Sequence, residues 1–252
     1  LVLASSQGLG LSIATKLCEE GANVIISGRV EDKLVTVAKE LNNAGSGTAD
    51  HVVADLSEED SAGKLYAAAI DKLGGVDILV NNTGGPPPGT VDKPGTDLWR
   101  AQIDTMLIRI IEITNFCIAD MKETGWGRVL TVASSGVVQP IANLAMSNTI
   151  RSSLVGWSKS LSTEVATAGI TVNMLLPGRI LTERLAQLDK ANAERLGKSV
   201  EEVSKSEQAA IPVGRYGTVE EFGSVGAFLC SAPASYMTGG LIRCDGGSIR
   251  GV

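Results

Sequence analysis

Histidine is almost missing from this chain. His51 is the single imidazole in 252 residues, so a site that needs two histidines is excluded and a histidine-rich metal centre with it. His51 itself reads as a residue at a strand edge rather than a catalyst. Aromatic residues make up only 4% of the sequence, and the tyrosines are three: Tyr66, Tyr216 and Tyr236. The four cysteines (Cys18, Cys117, Cys230, Cys244) are scattered, with no CxxC pair. Structural disulfides are therefore not expected, the thiols read as small buried hydrophobes, and a cytoplasmic setting is favoured. No segment approaches the roughly 18–20 uncharged apolar residues of a membrane span. The net charge of -6 gives no basic face for nucleic acid. Ser134-Ser135 with one distant histidine makes no hydrolase triad, and there is no G-x-S-x-G elbow. No carboxylate or cysteine cluster suggests a metal. The chain opens Leu1-Val2-Leu3 without methionine, as if partway into a strand, so a few preceding residues are expected; no secretory leader pattern is seen.

What is present is an ordinary globular composition, 44% apolar and 20% charged, long enough for one large α/β domain over 1–252. Short apolar runs alternate with helix-length amphipathic segments, the pattern of a parallel sheet flanked by helices. Strands are expected at Leu1–Ala4, Asn23–Ser27, His51–Ala54, Asp77–Val80, Arg128–Ala133, Ile170–Leu175 and Leu241–Cys244. Helices are expected after Gly10, over Glu31–Asn43, Ser57–Leu73, about Thr96–Glu123, Ser147–Ala168 and Glu220–Cys230. The run Gly84-Gly85-Pro86-Pro87-Pro88-Gly89 can only be a loop. The segment 179–212 is polar and helix-rich. The expected fold is a Rossmann-type doubly wound parallel sheet of about seven strands.

The turn Ala4-Ser5-Ser6-Gln7-Gly8-Leu9-Gly10 follows the first strand and opens a helix. Such a turn binds phosphate because glycine lets the backbone approach the anion and the free helix amides favour negative charge. Alone, it is equally a tight turn that packs a helix on a strand. At the end of the second strand stands Ser27-Gly28-Arg29, with no acid to bind a ribose hydroxyl. Arg29 suits a 2′-phosphate and favours NADP(H) over NAD(H); the alternative is a solvated arginine in a turn.

Several ordered motifs resemble the short-chain dehydrogenase/reductase family, in its 3-oxoacyl-carrier-protein reductase branch. Leu3 to Gly10 resembles the family's TGxxxGxG turn, with Leu3 and Ala4 replacing Thr and the first Gly. Asp77 to Gly84 is similar to D-x-L-V-N-N-A-G, Asn173 through Pro177-Gly178 to Thr182 resembles N-x-x-x-P-G-x-x-x-T, and Asp245-Gly246-Gly247 resembles the terminal D-G-G. The resemblance implies cofactor contacts from Ala4, Ser6, Gln7, Gly8, Leu9, Gly10, Arg29, Asp55, Leu56, Asn82, Thr83, Gly84, Arg151, Pro177, Gly178 and Ile180, with Asp55 reaching the adenine amine. It also implies that 179–212 forms a substrate lid and that the chain is a homotetramer built on paired long helices.

The family's chemistry, hydride transfer between nicotinamide and a carbonyl or alcohol carbon, uses a tyrosine acid, a lysine, a serine and an asparagine. Gly156 to Leu161 resembles the family's G-F-S-K-S-L, which sets Arg151 at the lysine position and Ser147, four residues earlier, at the tyrosine position. Counting back reaches Ser134 at the serine position. Ile103-Asp104-Thr105-Met106-Leu107 resembles I-D-x-N-L, so Met106 replaces the asparagine. Of the four, only the serine is kept. An aliphatic hydroxyl is a far weaker acid than a tyrosine of pKa ~10, and losing general acid catalysis typically costs ~10²–10⁴-fold in rate. Arg151 stays charged and cannot shuttle protons, but it can hold ribose hydroxyls or an oxyanion. Ser147 and Arg151 share one helix face. Asn148, Arg109 and Arg179 are further polar candidates, of which Asn148 and Arg109 are expected to be packing groups. None of the three tyrosines is an attractive replacement acid. Two functions follow. One is an NADP(H)-preferring oxidoreductase with a rearranged Ser134/Ser147/Arg151 site, acting on a small carbonyl compound such as a 3-oxoacyl thioester. The other is a reductase-like scaffold that binds a dinucleotide or acyl ligand and turns over little.

Overall fold

The computed structural model describes residues 1–251. Its strands are β1 (Val24–Gly28), β2 (Ala49–Val53), β3 (Ile78–Asn81), β4 (Gly127–Val132), β5 (Ile170–Pro177) and β6 (Leu241–Cys244). All pair in parallel, β1 with β2 and then β3-β4-β5-β6 in order. The segment Leu1–Leu3 joins the two groups. Val2 bridges Ile26 on one side and Val80 on the other, through Val2 N–H to Ile25 O at 2.9 Å and Leu3 N–H to Val80 O at 3.0 Å. The sheet is thus continuous, with its order reversing at Leu1–Leu3. In a doubly wound sheet that reversal opens a crevice at the carboxyl ends of the central strands, here Ala4 and Asn82.

Period-two alternation decides which side each strand residue serves. Leu1, Leu3, Ile25, Leu79, Val129, Val172 and Met174 pack with residues of α3 (Ser61–Leu73), α5 (Arg109–Thr124) and α6 (Ala145–Val165). Val2, Val24, Ile26, Val80, Leu130 and Leu175 pack with α1 (Gly8–Glu19), α2 (Glu31–Ala44) and α9 (Val219–Leu229). β4 is buried along its whole length, as a strand with helices on both faces must be.

Sequence and structure differ where local polar chemistry intervenes. The third helix begins at Ser61 rather than Ser57, because Asp55 Oδ1 accepts from the Ser57 amide (2.9 Å) and hydroxyl (2.8 Å) and closes a turn first. The long helix expected over Thr96–Glu123 runs as α4 (Thr96–Ile103), a π-helical turn over Asp104–Ile108, and α5. The first strand ends at Leu3, since Ala4 turns out of line with φ 45°. The 179–212 segment holds α7 (Glu183–Leu196) and α8 (Val200–Ala210). Thr182 caps α7 by accepting from Leu185 N, and Ser199 with Glu202 forms a capping box on α8.

Candidate active site

The glycine turn is wired to its neighbours. Ser5 Oγ donates to Val2 O (2.7 Å) and accepts from Ser27 N (3.0 Å), and Ala4 N donates to Ser27 Oγ (3.1 Å). Asn82 Nδ2, at the end of β3, donates to Ala4 O at 3.0 Å. α1 then starts at Gly8 with an extended Gln7 before it and no side-chain cap, so its first amides point into the crevice without an intrahelical acceptor. A Cβ at Gly10 would lie 2.6 Å from Asn82 Nδ2 and 3.0 Å from Ala4 O; only glycine allows α1 this close. Gln7 spans the crevice, donating to Glu183 Oε2 at 2.9 Å and accepting from Lys33. Thr182 faces Gly8 from the other wall, its Cγ2 lying 3.8 Å from where a Gly8 Cβ would be.

Arg29 stands at the end of β1 with its side chain 77% exposed, 4.0 Å from Asp55 Oδ2. The Ser57 amide foremost, with the Ser57 hydroxyl and Arg29 adding to it, holds the Asp55 carboxyl below its ordinary value. Arg29 is a cation free to take another anion; Asp55 is a fixed acceptor.

Arg151 is buried on α6. Its Nη1 donates to Val132 O at 3.0 Å, while Nη2 makes long contacts to Thr83 O (3.4 Å), Thr83 Oγ1 (3.5 Å) and Gly84 O (3.5 Å). The guanidinium therefore bridges the carboxyl ends of β3 and β4. Burial, and second the charge of Arg184, push it down to about 10, which leaves it a cation at neutral pH. Ser134 follows β4 two residues after Val132, and its Oγ accepts from Gly136 N at 3.0 Å. Ser147 lies one turn before Arg151, half-buried. Asn148 is a packing group: its amide pins Ile141, donating to Ile141 O at 2.9 Å and accepting from Ile141 N at 3.3 Å.

The remaining polar candidates serve the fold. Arg109 is buried and pairs with Glu112. Arg179 is tied to Asp189 Oδ1 (2.9 Å) and Glu207 Oε1 (2.7 Å), and Tyr216 Oη donates to Asp189 Oδ2 at 2.8 Å; this network fastens the post-β5 loop to α7 and α8. Tyr66 donates to Asp120 at 2.7 Å and stacks on Phe116, and Tyr236 is fully exposed. Met106 sits in the π-helical turn, sealed with Met146 and Ile150 in an apolar cluster. His51 lies on the edge strand β2. A cleft of about 650 Å³ opens beside α7 and α8, but its lining includes none of Ser134, Ser147 and Arg151. Among the described residues no group of three or more His, Cys, Asp and Glu is placed to hold a metal, and no helix is long and apolar enough to cross a membrane.

Sequence reasoning missed Arg184. It donates to Pro86 O at 2.8 Å and lies over Gly85, where a Cβ would meet its Nη2 at 3.1 Å and its Cζ at 3.5 Å. A basic residue two positions after the Thr182 cap was the available signal, and nothing in the sequence pairs it with a glycine about a hundred residues away.

The family model described as enoyl-(acyl carrier protein) reductase matches residues 3–248. The 3-oxoacyl-[acyl-carrier-protein] reductase of Aquifex aeolicus is 33% identical over 249 residues, covering 98% of this chain and 95% of its own. The chain belongs to the short-chain dehydrogenase/reductase family. Another member, the NADPH-dependent reductase BacG of Bacillus subtilis, is 29% identical over 252 residues, with 100% of this chain and 97% of that protein covered. Among solved short-chain dehydrogenase/reductase structures, a single-residue variant of the actinorhodin polyketide ketoreductase, solved with NADPH, superimposes with a TM-score of 0.93 at 32% identity, over 98% of this chain and 95% of that one. Membership makes the chain part of an oxidoreductase family and accounts for the sheet order, the crevice and the glycine turn together.

Proposed function

We propose that this chain is an NADP(H)-preferring oxidoreductase that interconverts a carbonyl and an alcohol at a site made by Ser134, Ser147 and Arg151. The carrying observation is the buried Arg151 guanidinium, spanning the carboxyl ends of β3 and β4 beside the glycine turn. The cradle fits a dinucleotide: uncapped amides open α1, Gly10 leaves no room for a side chain, and Arg29 is an exposed cation at the β1 end. In this reading Ala4, Ser6, Gln7, Gly8, Leu9 and Gly10 hold the pyrophosphate end, Arg29 the 2′-phosphate, and Asp55 with Leu56 the adenine. Asn82, Thr83, Gly84, Arg151, Pro177, Gly178 and Ile180 line the nicotinamide end. When bound, the nicotinamide supplies the hydride. Ser134 and Ser147 orient the substrate oxygen, Arg151 stabilises the negative charge that develops on it, and water or the substrate supplies the proton. The segment 179–212 closes over the substrate, and exposed Ser152, Ser153 and Gly156 on α6 suit the helix pairing of a tetramer; Leu154 is committed to the core. The relatives' names, a 3-oxoacyl reductase and an NADPH-dependent reductase among them, favour an enzyme acting on a small carbonyl or acyl-thioester substrate.

The sealed Met106 cluster, which offers no amide to a relay water, favours a second reading: a dinucleotide- or acyl-binding scaffold of little turnover. Calorimetric titration with NADPH and NADH separately, followed by single-turnover hydride transfer over ketones and thioesters, tests both. NADPH binding at least tenfold tighter than NADH, with measurable transfer, supports the enzyme. Binding without transfer leaves the scaffold, and no binding of either nucleotide overturns the enzyme and leaves a scaffold that takes an acyl ligand or a partner.

A further inference from the structure

The arginines that are not exposed divide into two kinds. Arg109 and Arg179 each meet a carboxylate. Arg128 is buried without one, but it donates to the carbonyls of Ser231, Gly127 and Gly169 and lies 4.3 Å over the Trp126 ring, which accounts for it structurally. Arg151 and Arg184 have no such account. Among the described residues neither forms an ion pair, and each is lowered by burial, Arg151 also by the charge of Arg184. Arg151 has one well-formed bond and three contacts at 3.4–3.5 Å; Arg184 has one bond, to Pro86 O. A guanidinium offers five N–H donors, so both keep donors to spare, Arg184 most of its five. The two lean on consecutive halves of one loop, Arg151 of α6 on Thr83 and Gly84, and Arg184 of α7 on Gly85 and Pro86. Gly85 leaves the space that Arg184 occupies. Setting a half-buried cation beside one loop with a buried one is unfavourable unless an anion joins them, and a planar donor fork suits a carboxylate or phosphoryl oxygen pair.

We infer that Arg151 and Arg184 form an oxyanion-binding pair, and that the substrate of the proposed reductase is an acidic carbonyl compound whose carboxylate or phosphoryl group is held between them over the Thr83–Pro86 loop. The inference rests on the reading of Arg151 as a site residue. It narrows the substrate class: a neutral ketone or thioester leaves the pair without its partner.

Binding, not turnover, tests it. The whole chain, saturated with NADP⁺, is titrated by calorimetry with levulinate against methyl levulinate, and with dihydroxyacetone phosphate against dihydroxyacetone. At least one acid is expected to bind tenfold or more tighter than its neutral counterpart. Arg184→Gln is expected to reduce that preference to threefold or less, and Arg184→Lys to keep part of it, because a point charge replaces the fork. Circular dichroism shows whether each variant is folded; should Arg184→Gln not fold, Arg184→Lys and the wild-type acid-to-neutral ratio carry the test. Equal binding of acid and neutral forms, or no binding of any acid at tens of millimolar, overturns the inference. So does a preference that survives Arg184→Gln. If that variant instead weakens NADPH itself tenfold without ligand present, the anion belongs to the cofactor and the substrate assignment falls. Acid binding without hydride transfer sinks the reductase reading and leaves the oxyanion pair standing; transfer to neutral ketones alone does the reverse.

Discussion

Replacing Ala4 with glycine should make this protein more stable, against the usual direction of an alanine-to-glycine change. Ala4 is held at φ 45°, where its Cβ crowds its own carbonyl. A left-handed conformation costs an L-residue about 1–2 kcal/mol, and the bonds from Ala4 N to Ser27 Oγ and from Asn82 Nδ2 to Ala4 O keep it there. Glycine removes that cost, but its freer unfolded chain takes back about 0.4–1 kcal/mol. The net expectation is a gain of about 1 kcal/mol, or about 2–4 °C in midpoint for a chain of this size. Urea unfolding followed by circular dichroism measures it, with an unchanged m-value as the sign that only the folded state moved. Ala186→Gly on exposed α7 is the control and should lose about 1 kcal/mol. If Ala4→Gly is neutral or destabilising while the control behaves, the strain at Ala4 is not real and the reasoning fails. The NADPH affinity of the same variant then reports on the cradle: a clear rise would mean that the methyl group narrows it.

Gly10→Ala places a Cβ 2.6 Å from Asn82 Nδ2 and should cost about 1–3 kcal/mol; combined with Asn82→Ala the two losses should be less than additive in the same urea assay. Met106→Asn, which restores the family's amide in sequence, puts a polar group among Met146 and Ile150 and should cost about 2–3 kcal/mol with no gain in single-turnover rate; a gain would show that the turn is open to the site. Glu221 is held down to about 2, by Arg215 foremost and then by the Thr218 amide. A carboxyl lowered in the folded state adds stability above its ordinary value near 4.5 and loses it as pH falls toward 2. Glu221→Gln should therefore be less stable than the wild type at pH 7, with the gap closing between about 4.5 and 2 in thermal unfolding; a gap independent of pH would show that the charge of Glu221 contributes nothing to stability.

The fold was largely legible because both faces of the sheet are apolar and its strands are short, buried runs between turn signals. β6 begins and ends where its run does, and β1 and β5 differ from expectation by residues at their ends. Boundaries went astray where side chains compete for the backbone, as Asp55 and Ser57 do before α3, or where one helix passes into another through a π-turn that has no apolar signature. In the site, Arg151 was placed by counting from Gly156, and the structure shows the guanidinium buried against β4. Arg179 belongs to a structural network that sequence spacing cannot reveal, since Asp189, Glu207 and Tyr216 come from three further elements. Arg184 was invisible for the same reason: its meaning lies in a loop far away in the chain.

The bridging role of Leu1–Leu3 has a consequence for synthesis. The strand at the centre of the sheet leaves the ribosome before either of its partners. One edge of it stays unpaired until Val24–Gly28 has emerged, and the other until Ile78–Asn81 has followed. Leu1 and Leu3 wait longer still for the α5 and α6 residues they pack with, and the two halves of the sheet cannot register against each other before that interval ends. Non-local pairing of this kind is slow and exposes strand edges. For a nascent chain, a segment that ends buried in the middle of the sheet is among the first made and must wait for both of its neighbours.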